Sequence, residues 1–333
     1  MFRLNRKKEQ KLEKKIWEDF SRGKLETQEA ISSLQKIILK EKGNTETDFD
    51  LETILAELES LVGLQKVKEV IKEIQAYINI QKQRSLLGLQ TNFLSLHMIF
   101  KGNPGTGKTT VARLLGKLFF SLGILPKGDL IEAERADLVG EYIGHTAQKT
   151  KRIIQKAQGG VLFVDEAYSL ARGGEKDFGK EAIDTLVKAM EDYRDQFILI
   201  FAGYRREMER FLLLNPGLDS RFPIKIDFPD YSIPDLLAIA ELMVRQREYE
   251  LTAGAKYYLE KYLKDKARQH YLHFSNARLV RNIIEKALRR QALRLMSVKE
   301  PCREELMRIT KDDLIAVRED DLLSLAEEGS YYV

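Results

Sequence analysis

The 333-residue sequence is poor in the features that mark secreted, membrane-spanning and disulfide-stabilised proteins. Its one cysteine, Cys302, cannot form a disulfide within the chain and fits a reducing compartment. The longest apolar runs, such as FILIFA at 197–202, fall well short of the roughly 20 residues that span a bilayer. The basic N-terminus is not followed by the apolar stretch of a secretory signal. These absences predict a cytoplasmic protein with no membrane span.

A strong excess of one charge is absent too. The 55 basic and 51 acidic residues give a formal net charge of +4, and no basic stretch is interleaved with aromatic residues. Because nucleic-acid-binding surfaces usually concentrate basic side chains, nucleic acid is not an expected partner. Among four scattered histidines, His270 and His273 lie three residues apart, but no cysteine or third ligand accompanies them. We therefore expect surface histidines there and no metal site.

The pattern of the sequence changes along the chain. Residues 1–50 are charged and compatible with helix, and form either a solvated arm or a segment that docks a partner. Short apolar runs alternate with amphipathic helices in residues 51–229, whereas residues 230–316 carry only helical patterns. Residues 317–333 form an acidic tail. We predict an α/β domain followed by a small all-helical domain, with an extension at each end.

The apolar runs of the first domain predict its sheet. They show no polar alternation, which is typical of strands that are buried on both faces and connected by helices. The sheet should therefore be parallel and doubly wound. Its five strands are expected at HMIF (97–100), LIEAE (130–134), GVLFVDEA (160–167), FILIFAGY (197–204) and IKIDF (224–228).

The segment GNPGTGKT at 102–109 matches the phosphate-binding pattern G-x-x-x-x-G-K-[ST] and lies between an expected strand and a helical pattern, as that pattern requires. The glycines let backbone N–H groups surround phosphates at the start of the helix, where the helix dipole also favours an anion. Lys108 would reach the β and γ phosphates, and the hydroxyl of Thr109 would bind Mg²⁺. The residues expected to contact ATP are Gly102, Asn103, Pro104, Gly105, Thr106, Gly107, Lys108, Thr109 and Thr110.

Two adjacent carboxylates, Asp165 and Glu166, follow the apolar run VLFV. They would lie at the carboxyl end of a strand, which is where ligands bind in open α/β sheets. We expect Asp165 to hold the magnesium ion through water and Glu166 to orient the water that attacks the γ-phosphate. A kinase for a small hydroxyl would not need a second carboxylate directed at water, so the pair favours ATP hydrolysis.

These motifs resemble those of the AAA+ ATPases. GNPGTGKT and VLFVDEA are followed by a helical domain, as in that family. LVGEYIGHTAQKT, DEAYSLARGGEKDFGKEAIDTLVKAMED and LNPGLDSRFP closely resemble the group of stage V sporulation K proteins and red-type Rubisco activases, and the likeness covers about residues 58–296. The resemblance implies an AAA+ P-loop domain with a helical lid domain, ATP and Mg²⁺ as ligands, and assembly of identical subunits into a hexameric ring.

The resemblance also implies roles outside the phosphate loop. Arg221 in LDSRFP resembles the arginine finger that reaches the γ-phosphate of a neighbouring subunit, although the residues alone favour a surface arginine. Arg278 in SNARLVRN resembles the second sensor, and Val62 and Gly63 resemble the linker that borders the adenine. Tyr204 stands where the first sensor is often Asn or Thr. A phenol lacks the two-sided contact of an amide, so this position departs from the family pattern.

The segment VGEYIGHT at 139–146 places an aromatic and an aliphatic residue between two glycines. Tyr142, Ile143 and Gly144 resemble the first pore loop of AAA+ rings, which lines the central channel. An aromatic side chain offers a large, rigid contact to a client of any sequence, and glycines let the loop move. The alternative is that Tyr142 packs into the core beneath a loop.

Three functions remain open. The resemblance favours a ring-forming ATPase that remodels or threads an unknown protein client, in endospore formation. A metabolic activator similar to the red-type Rubisco activases would also need a sugar-phosphate effector site, which the sequence does not locate. An assembly factor on DNA should carry a DNA-binding module or a basic inner face, and neither is evident in the sequence.

Overall fold

The computed structural model describes residues 50–91, 95–142, 144–172, 177–194, 196–269 and 274–317. The N-terminal extension lies outside these ranges except for its last residue, and the acidic tail lies outside them except for its first. Ile143, His270 and His273 also lie outside them. No helix in the described part of the chain is long and apolar enough to cross a membrane.

The central sheet has five parallel strands, as predicted. In chain order they are β1 Met98–Gly102, β2 Leu130–Ala133, β3 Val161–Val164, β4 Ile198–Gly203 and β5 Ile224–Phe228. The order across the sheet is β2–β3–β4–β1–β5. Every residue of β3 and β4 is buried, whereas the edge strand β5 has exposed positions at every second residue. Burial on both faces explains why the interior strands lack polar alternation.

Helices pack on both faces of the sheet. The side chains of Phe163 and Ile200 join a buried cluster with the first three helices, whereas Leu162 and Leu199, one position earlier, join a second cluster with later helices. Successive strand residues thus face opposite layers, as in a doubly wound sheet. The helices are α1 Leu51–Ser60, α2 Gln65–Leu86, α3 Lys108–Ser121, α4 Arg135–Leu138, α5 His145–Ala157, α6 Gly179–Asp192, α7 Arg205–Leu214 and α8 Pro216–Asp219, with a 3₁₀ turn at Ala167–Ala171.

The helical domain packs around a core of its own. It contains α9 Ile233–Arg245, α10 Ala253–Gln269, α11 Asn276–Leu295, α12 Arg303–Met307 and a helix at 311–317. The prediction of an all-helical domain needs one correction. Glu250–Leu251 and Arg308–Ile309 form a two-residue parallel ladder, β6–β7. Two residues are too few to produce an apolar run, so the sequence gives no signal for these strands.

The strand order brings three carboxyl ends together. β1 pairs with β4, and β4 pairs with β3, so the residues that follow these strands emerge side by side at one edge of the sheet. The phosphate loop follows β1, Asp165 follows β3 and Tyr204 follows β4. Ligands of open α/β sheets bind at this edge.

Candidate nucleotide-binding site

A cavity of about 480 Å³ opens at this edge, between the sheet and the helical domain. The predicted site residues that line it are Val62, Pro104, Gly105, Gly107, Lys108, Thr109, Thr110, Asp165, Glu166, Tyr204 and Arg278. Its apolar lining includes Leu61, Leu64, Ile239, Leu242 and Met243. A cavity with both charged and apolar walls suits a nucleotide, because the phosphates are charged and the base is largely apolar.

The phosphate loop depends on glycine at two of its positions. Gly105 and Gly107 adopt left-handed backbone conformations, with φ of 71° and 94°. A Cβ on Gly105 would lie 2.3 Å from the carbonyl oxygen of Ser275, so any side chain there would collide with the start of the helical domain's third helix. The first residues of α3 line the cavity directly after the loop. A helix N-terminus carries unpaired N–H groups and a partial positive charge, which favour phosphate.

Three predicted loop residues do not line the cavity, and they shape the loop instead, Gly102 by its lack of a side chain and Asn103 and Thr106 by side-chain hydrogen bonds. Gly102 ends β1, where a Cβ would lie 2.3 Å from the carbonyl oxygen of Phe228. Asn103 donates from Nδ2 to both carboxylate oxygens of Asp230 at 3.0 Å. Thr106 is fully buried, and its hydroxyl donates to the carbonyl oxygen of Asn103 at 2.8 Å.

Lys108 is held over the loop by the loop's own carbonyl groups. Its Nζ donates to the carbonyl oxygens of Gly102 and Asn103, each at 2.8 Å. Burial lowers the pKa of Lys108, and the carboxylate of Asp165 partly offsets this effect. An anion beside the ammonium group would favour its charged form, so the environment suits a bound phosphate.

Asp165 and Glu166 follow β3, and the backbone is strained at Glu166. Glu166 has φ of 45°, in the left-handed region that non-glycine residues rarely occupy. Its N–H donates to Oδ1 of Asp165 at 2.9 Å, and both residues line the cavity. Strain of this kind concentrates at functional sites, where the surrounding structure holds the residue in place.

The oxygen donors of the cavity suit magnesium. Thr109 offers a hydroxyl and Asp165 a carboxylate, and Mg²⁺ prefers oxygen ligands. Within the described residues, no cluster of three or more His, Cys, Asp or Glu side chains could hold a metal ion by itself. Magnesium is commonly held by one or two protein groups together with water and substrate phosphates, so the small donor set fits this ion.

Tyr204 belongs to a packed aromatic layer at the end of β4. Its ring stacks on that of Tyr168, with the ring centroids 5.8 Å apart. A Cβ on Gly203 would lie 2.7 Å from the Tyr168 ring, which explains the glycine before Tyr204. Burial raises the pKa of Tyr204, and the Glu166 carboxylate raises it further. The phenol therefore stays protonated and can act as a hydrogen-bond donor in the cavity.

Arg278 lies in the first turn of α11, and Arg281 lies one turn later; both line the cavity. The motifs do not single out Arg281, although its spacing of three residues places it on the same helix face. Gly63 has φ of 64° and lies next to the lining residue Val62, with the side chain of Tyr231 3.4 Å from where its Cβ would be.

Residues to which the motifs assign no role join the phosphate loop to the helical domain. Asn276 is fully buried and donates from Nδ2 to Oδ1 of Asp230 at 2.7 Å and to the carbonyl oxygen of Pro104 at 3.4 Å. Its Oδ1 accepts from the N–H of Tyr231 at 2.9 Å, and the Tyr231 hydroxyl donates to the carbonyl oxygen of Thr106 at 3.3 Å. These contacts join residues far apart in the chain, so no local pattern reveals them.

Arg221 is not among the residues that line the cavity. It lies between α8 and β5, and its side chain is 36% exposed. Its guanidinium forms an ion pair with Glu191 near the end of α6. The arginine therefore lies on a surface of the domain and does not line the cavity of its own chain.

Tyr142 is 66% exposed, and its ring packs edge-on against that of His145, with the centroids 5.5 Å apart. Gly144 precedes α5 with φ of 81° and is exposed. The alternative in which Tyr142 packs into the core is therefore wrong. The glycine-flanked loop presents an aromatic side chain to solvent.

Two family models match the chain. One is described as the ATPase family associated with various cellular activities (AAA) and matches residues 98–230, and the other is described as the AAA lid domain and matches residues 232–322. Stage V sporulation protein K of Bacillus subtilis (strain 168) is 60% identical over 264 residues, which cover 79% of this chain and 82% of that protein. The chain belongs to the AAA+ ATPases. The family resemblance inferred from the motifs is thereby confirmed.

This AAA+ ATPase is similar to two further relatives over most of their length. The chloroplastic ribulose bisphosphate carboxylase/oxygenase activase of Cyanidioschyzon merolae is 44% identical over 277 residues, covering 81% of this chain and 94% of that protein. Protein CfxQ of Xanthobacter flavus is 46% identical over 251 residues, covering 75% of this chain and 78% of that protein. The lid domain of the family corresponds to the helical domain described above.

A solved structure confirms the fold class independently. The RuvB Holliday junction branch migration motor of Thermotoga maritima matches with a TM-score of 0.50, covering 79% of this chain and 70% of that chain. The two sequences are 21% identical, so the match concerns the fold alone.

Proposed function

We propose that this AAA+ ATPase hydrolyses Mg-ATP in a hexameric ring and uses the cycle to remodel or thread a protein client. The observation that supports this most directly is that Arg221 does not share the cavity of the other proposed catalytic residues. Lys108, Asp165 and Glu166 line one cavity, whereas Arg221 lies outside it on a surface. Since an arginine greatly stabilises the transition state of phosphoryl transfer, a second copy of the chain would complete the site.

The groups in the cavity suit an in-line attack of water on the γ-phosphate. Lys108 and the first N–H groups of α3 would bind phosphate oxygens. The Glu166 carboxylate would accept a hydrogen bond from the attacking water and orient it. Thr109 and Asp165 would hold Mg²⁺, which neutralises charge on the β and γ phosphates when bound. Arg278 would contact the same phosphates from the lid domain.

Two further assignments belong to the ATP site. Val62 and Gly63 would border the adenine, because the cavity beside Val62 is apolar and is also lined by Ile239 and Met243. Tyr204 would act as the first sensor, since it lines the cavity with Glu166 and keeps its hydroxyl proton.

The client would be gripped by the loop at Tyr142–Gly144. An exposed aromatic side chain beside glycine gives a grip that does not depend on the client's sequence, and Tyr142 is 66% exposed.

The 60% identity to stage V sporulation protein K favours a client in endospore formation, in the cytoplasm of the sporulating cell. The 44% identity to a Rubisco activase supports a second candidate, activation of a metabolic enzyme. Stimulation of ATP turnover by a carboxylase or a sugar bisphosphate would favour that second candidate.

Shared active sites can be tested by mixing inactive subunits. Arg221→Ala and Lys108→Ala subunits should each fail to hydrolyse ATP alone and should regain part of the activity when mixed, because a mixed interface joins an intact loop to an intact arginine. Turnover per chain should also fall when the protein is diluted to monomers. A monomeric preparation that hydrolyses ATP as fast per chain as a concentrated one contradicts the proposal.

The client can be identified with a variant that binds ATP without turnover. Glu166→Gln removes the group that orients water while keeping the rest of the cavity, so it should retain ATP and hold the client. Identification of the proteins that bind the Glu166→Gln variant in sporulating cells would reveal the client. Undiminished turnover by Glu166→Gln would refute the assigned role of Glu166.

A further inference from the structure

The guanidinium of Arg221 is held in one orientation by two elements of its own subunit. Nε and Nη2 both donate to Oε1 of Glu191, at 2.9 and 2.5 Å. Nη1 donates to the carbonyl oxygen of Gly217 in α8 at 2.7 Å. A Cβ on Gly217 would lie 3.1 Å from Nη1, so the close approach of this carbonyl suits a residue without a side chain. α6 and α8 together fix the direction of the arginine.

The contacts leave the outer edge of the guanidinium available. An arginine side chain has five N–H donors in a planar fork. Three of these donors are used: one N–H each from Nε and Nη2 goes to Glu191, and one N–H from Nη1 goes to Gly217. One N–H on Nη1 and one on Nη2 remain, and two donors on neighbouring nitrogens can each contact a phosphate oxygen. Glu191 therefore orients the arginine without occupying the edge that would bind phosphate.

The Glu191–Arg221 pair contributes little to the fold. The Glu191 side chain is 61% exposed and the Arg221 side chain 36% exposed. Ion pairs at such exposure have small effects on stability because water screens them and both side chains lose freedom. A long arginine held in place before a neighbour arrives, however, loses less freedom when it contacts the neighbour's phosphate. The pair is thus better suited to orienting the arginine than to stabilising the domain.

We propose that Glu191 is a positioning residue for ATP hydrolysis, acting through Arg221 on the nucleotide of a neighbouring subunit. The proposal rests on the trans-acting role of Arg221 put forward above. Glu191 touches no nucleotide and acts by keeping the two free N–H donors of Arg221 directed outward. Its effect should therefore appear in turnover, at the neighbouring site, and not in ATP binding by its own subunit.

Three variants separate orientation from a loss of charge. Glu191→Ala should lower kcat of the assembled enzyme about tenfold or more, by analogy with the 10- to 100-fold loss when a group that orients a metal ligand is removed. The KM for ATP should stay within about twofold, because the ATP cavity is unchanged. Glu191→Gln keeps an acceptor oxygen for Nε and Nη2 and should recover much of the rate. Asp192→Ala removes the same charge from the next residue, which is exposed, and should keep the wild-type rate.

A mixing experiment locates the effect. Glu191→Ala subunits mixed with an excess of Glu166→Gln subunits should turn over ATP faster per Glu191→Ala subunit than they do alone, because the neighbours supply a correctly held Arg221. No gain in that mixture, or a wild-type rate for Glu191→Ala alone, overturns the positioning role. Equal rates for Glu191→Gln and Glu191→Ala, both low, also overturn it, because orientation by an acceptor oxygen would then play no part.

Failure of this proposal and failure of the proposed function give different results. If Arg221→Ala alone hydrolyses ATP at the wild-type rate, the trans-acting arginine itself is refuted. If Arg221→Ala is inactive and is rescued by Glu166→Gln subunits while Glu191→Ala is unimpaired, only the role of Glu191 is refuted. Size-exclusion profiles and thermal unfolding midpoints of all variants should match the wild type, since the pair is exposed.

Discussion

Asn276 donates a hydrogen bond from Nδ2 to Oδ1 of Asp230 at 2.7 Å, and this contact ties the lid domain to the phosphate loop. The same carboxylate accepts from Nδ2 of Asn103 in the loop at 3.0 Å. The N–H of Ala277 donates to the carbonyl oxygen of Gly105 at 3.2 Å. A movement of the loop on nucleotide binding would therefore reach the start of α11, where the proposed second sensor lies.

Replacing Asn276 with alanine should weaken both the fold and ATP binding. Four hydrogen bonds of a fully buried side chain are lost. Alanine also tolerates the φ of 48° at this position poorly. Buried groups left without partners cost about 1–3 kcal/mol, so the free energy of unfolding should fall by at least this amount. The KM for ATP should rise because the lid domain loses its connection to the loop. Urea unfolding and steady-state kinetics measure the two effects.

Asn282→Ala provides the matched control, because Asn282 is exposed on the same helix. It should unfold and bind ATP like the wild type. If Asn276→Ala behaves like Asn282→Ala in both assays, the contact with Asp230 does not link the loop to the lid domain.

Removing the hydroxyl of Tyr204 should slow turnover and leave ATP binding nearly unchanged. In Tyr204→Phe the ring can still stack on Tyr168, so the aromatic layer is kept. If the hydroxyl donates to the transferring phosphate, kcat should fall on the order of 10²-fold, as when one transition-state donor is removed elsewhere. Burial and Glu166 raise the pKa of Tyr204, so the loss should be constant with pH below about 10. Steady-state kinetics across that pH range test this, with exposed Tyr257→Phe as control. An unchanged kcat would remove Tyr204 from the sensor role.

The parts of the fold and site that the sequence predicts are those with local signals. The five strands are continuous apolar runs, and the phosphate loop is a contiguous motif, so both are visible without tertiary information. Tyr142 is also predicted to be exposed, because glycines flank it and no helical period surrounds it.

The contacts that the sequence does not predict are pairings across the fold. Asp230 meets Asn276, and Glu191 meets Arg221, between residues on separate elements whose proximity depends on how those elements pack. The β6–β7 ladder is missed for the same reason, because each strand has two residues and its partner is distant in sequence. The family resemblance assigns a role to Arg221, but it does not identify Glu191, whose carboxylate holds that arginine.

Replacing Tyr142 with alanine should abolish client remodelling and spare basal ATP hydrolysis. The side chain is 66% exposed, so the free energy of unfolding should change by no more than about 0.5 kcal/mol. Tyr142→Phe retains a rigid ring and should keep most of the remodelling activity. Release of a captured client, followed beside ATP turnover, gives both readouts. Loss of the folded state in Tyr142→Ala, or full remodelling without the ring, would contradict the pore-loop assignment.

A buried histidine should make the domain less stable in acid. His97 is 3% exposed, immediately before β1, and its ring packs near those of Phe197 and Phe222, at centroid distances of 5.8 and 6.2 Å. The N–H of Leu199 donates to its Nδ1 at 2.9 Å, a contact that requires the neutral ring. Burial lowers the pKa of His97 from 6.5 to about 4.

The stability of the protein should therefore fall as the pH is lowered from 6.5 to about 4, and His97 should account for a defined part of the fall. In this window His97 binds a proton in the unfolded chain but not in the folded chain. The free energy of unfolding should therefore fall by at most about 1.4 kcal/mol for each pH unit, as far as His97 is concerned. His97→Asn cannot titrate but can offer an oxygen to the N–H of Leu199. It should be less stable near pH 7, because the ring's volume is lost, and its stability should decline less steeply below pH 6.5. Urea unfolding at a series of pH values measures both slopes, and the exposed His145→Asn should retain the wild-type slope. Equal slopes for His97→Asn and the wild type would mean that His97 is protonated as easily in the folded protein as in the unfolded chain.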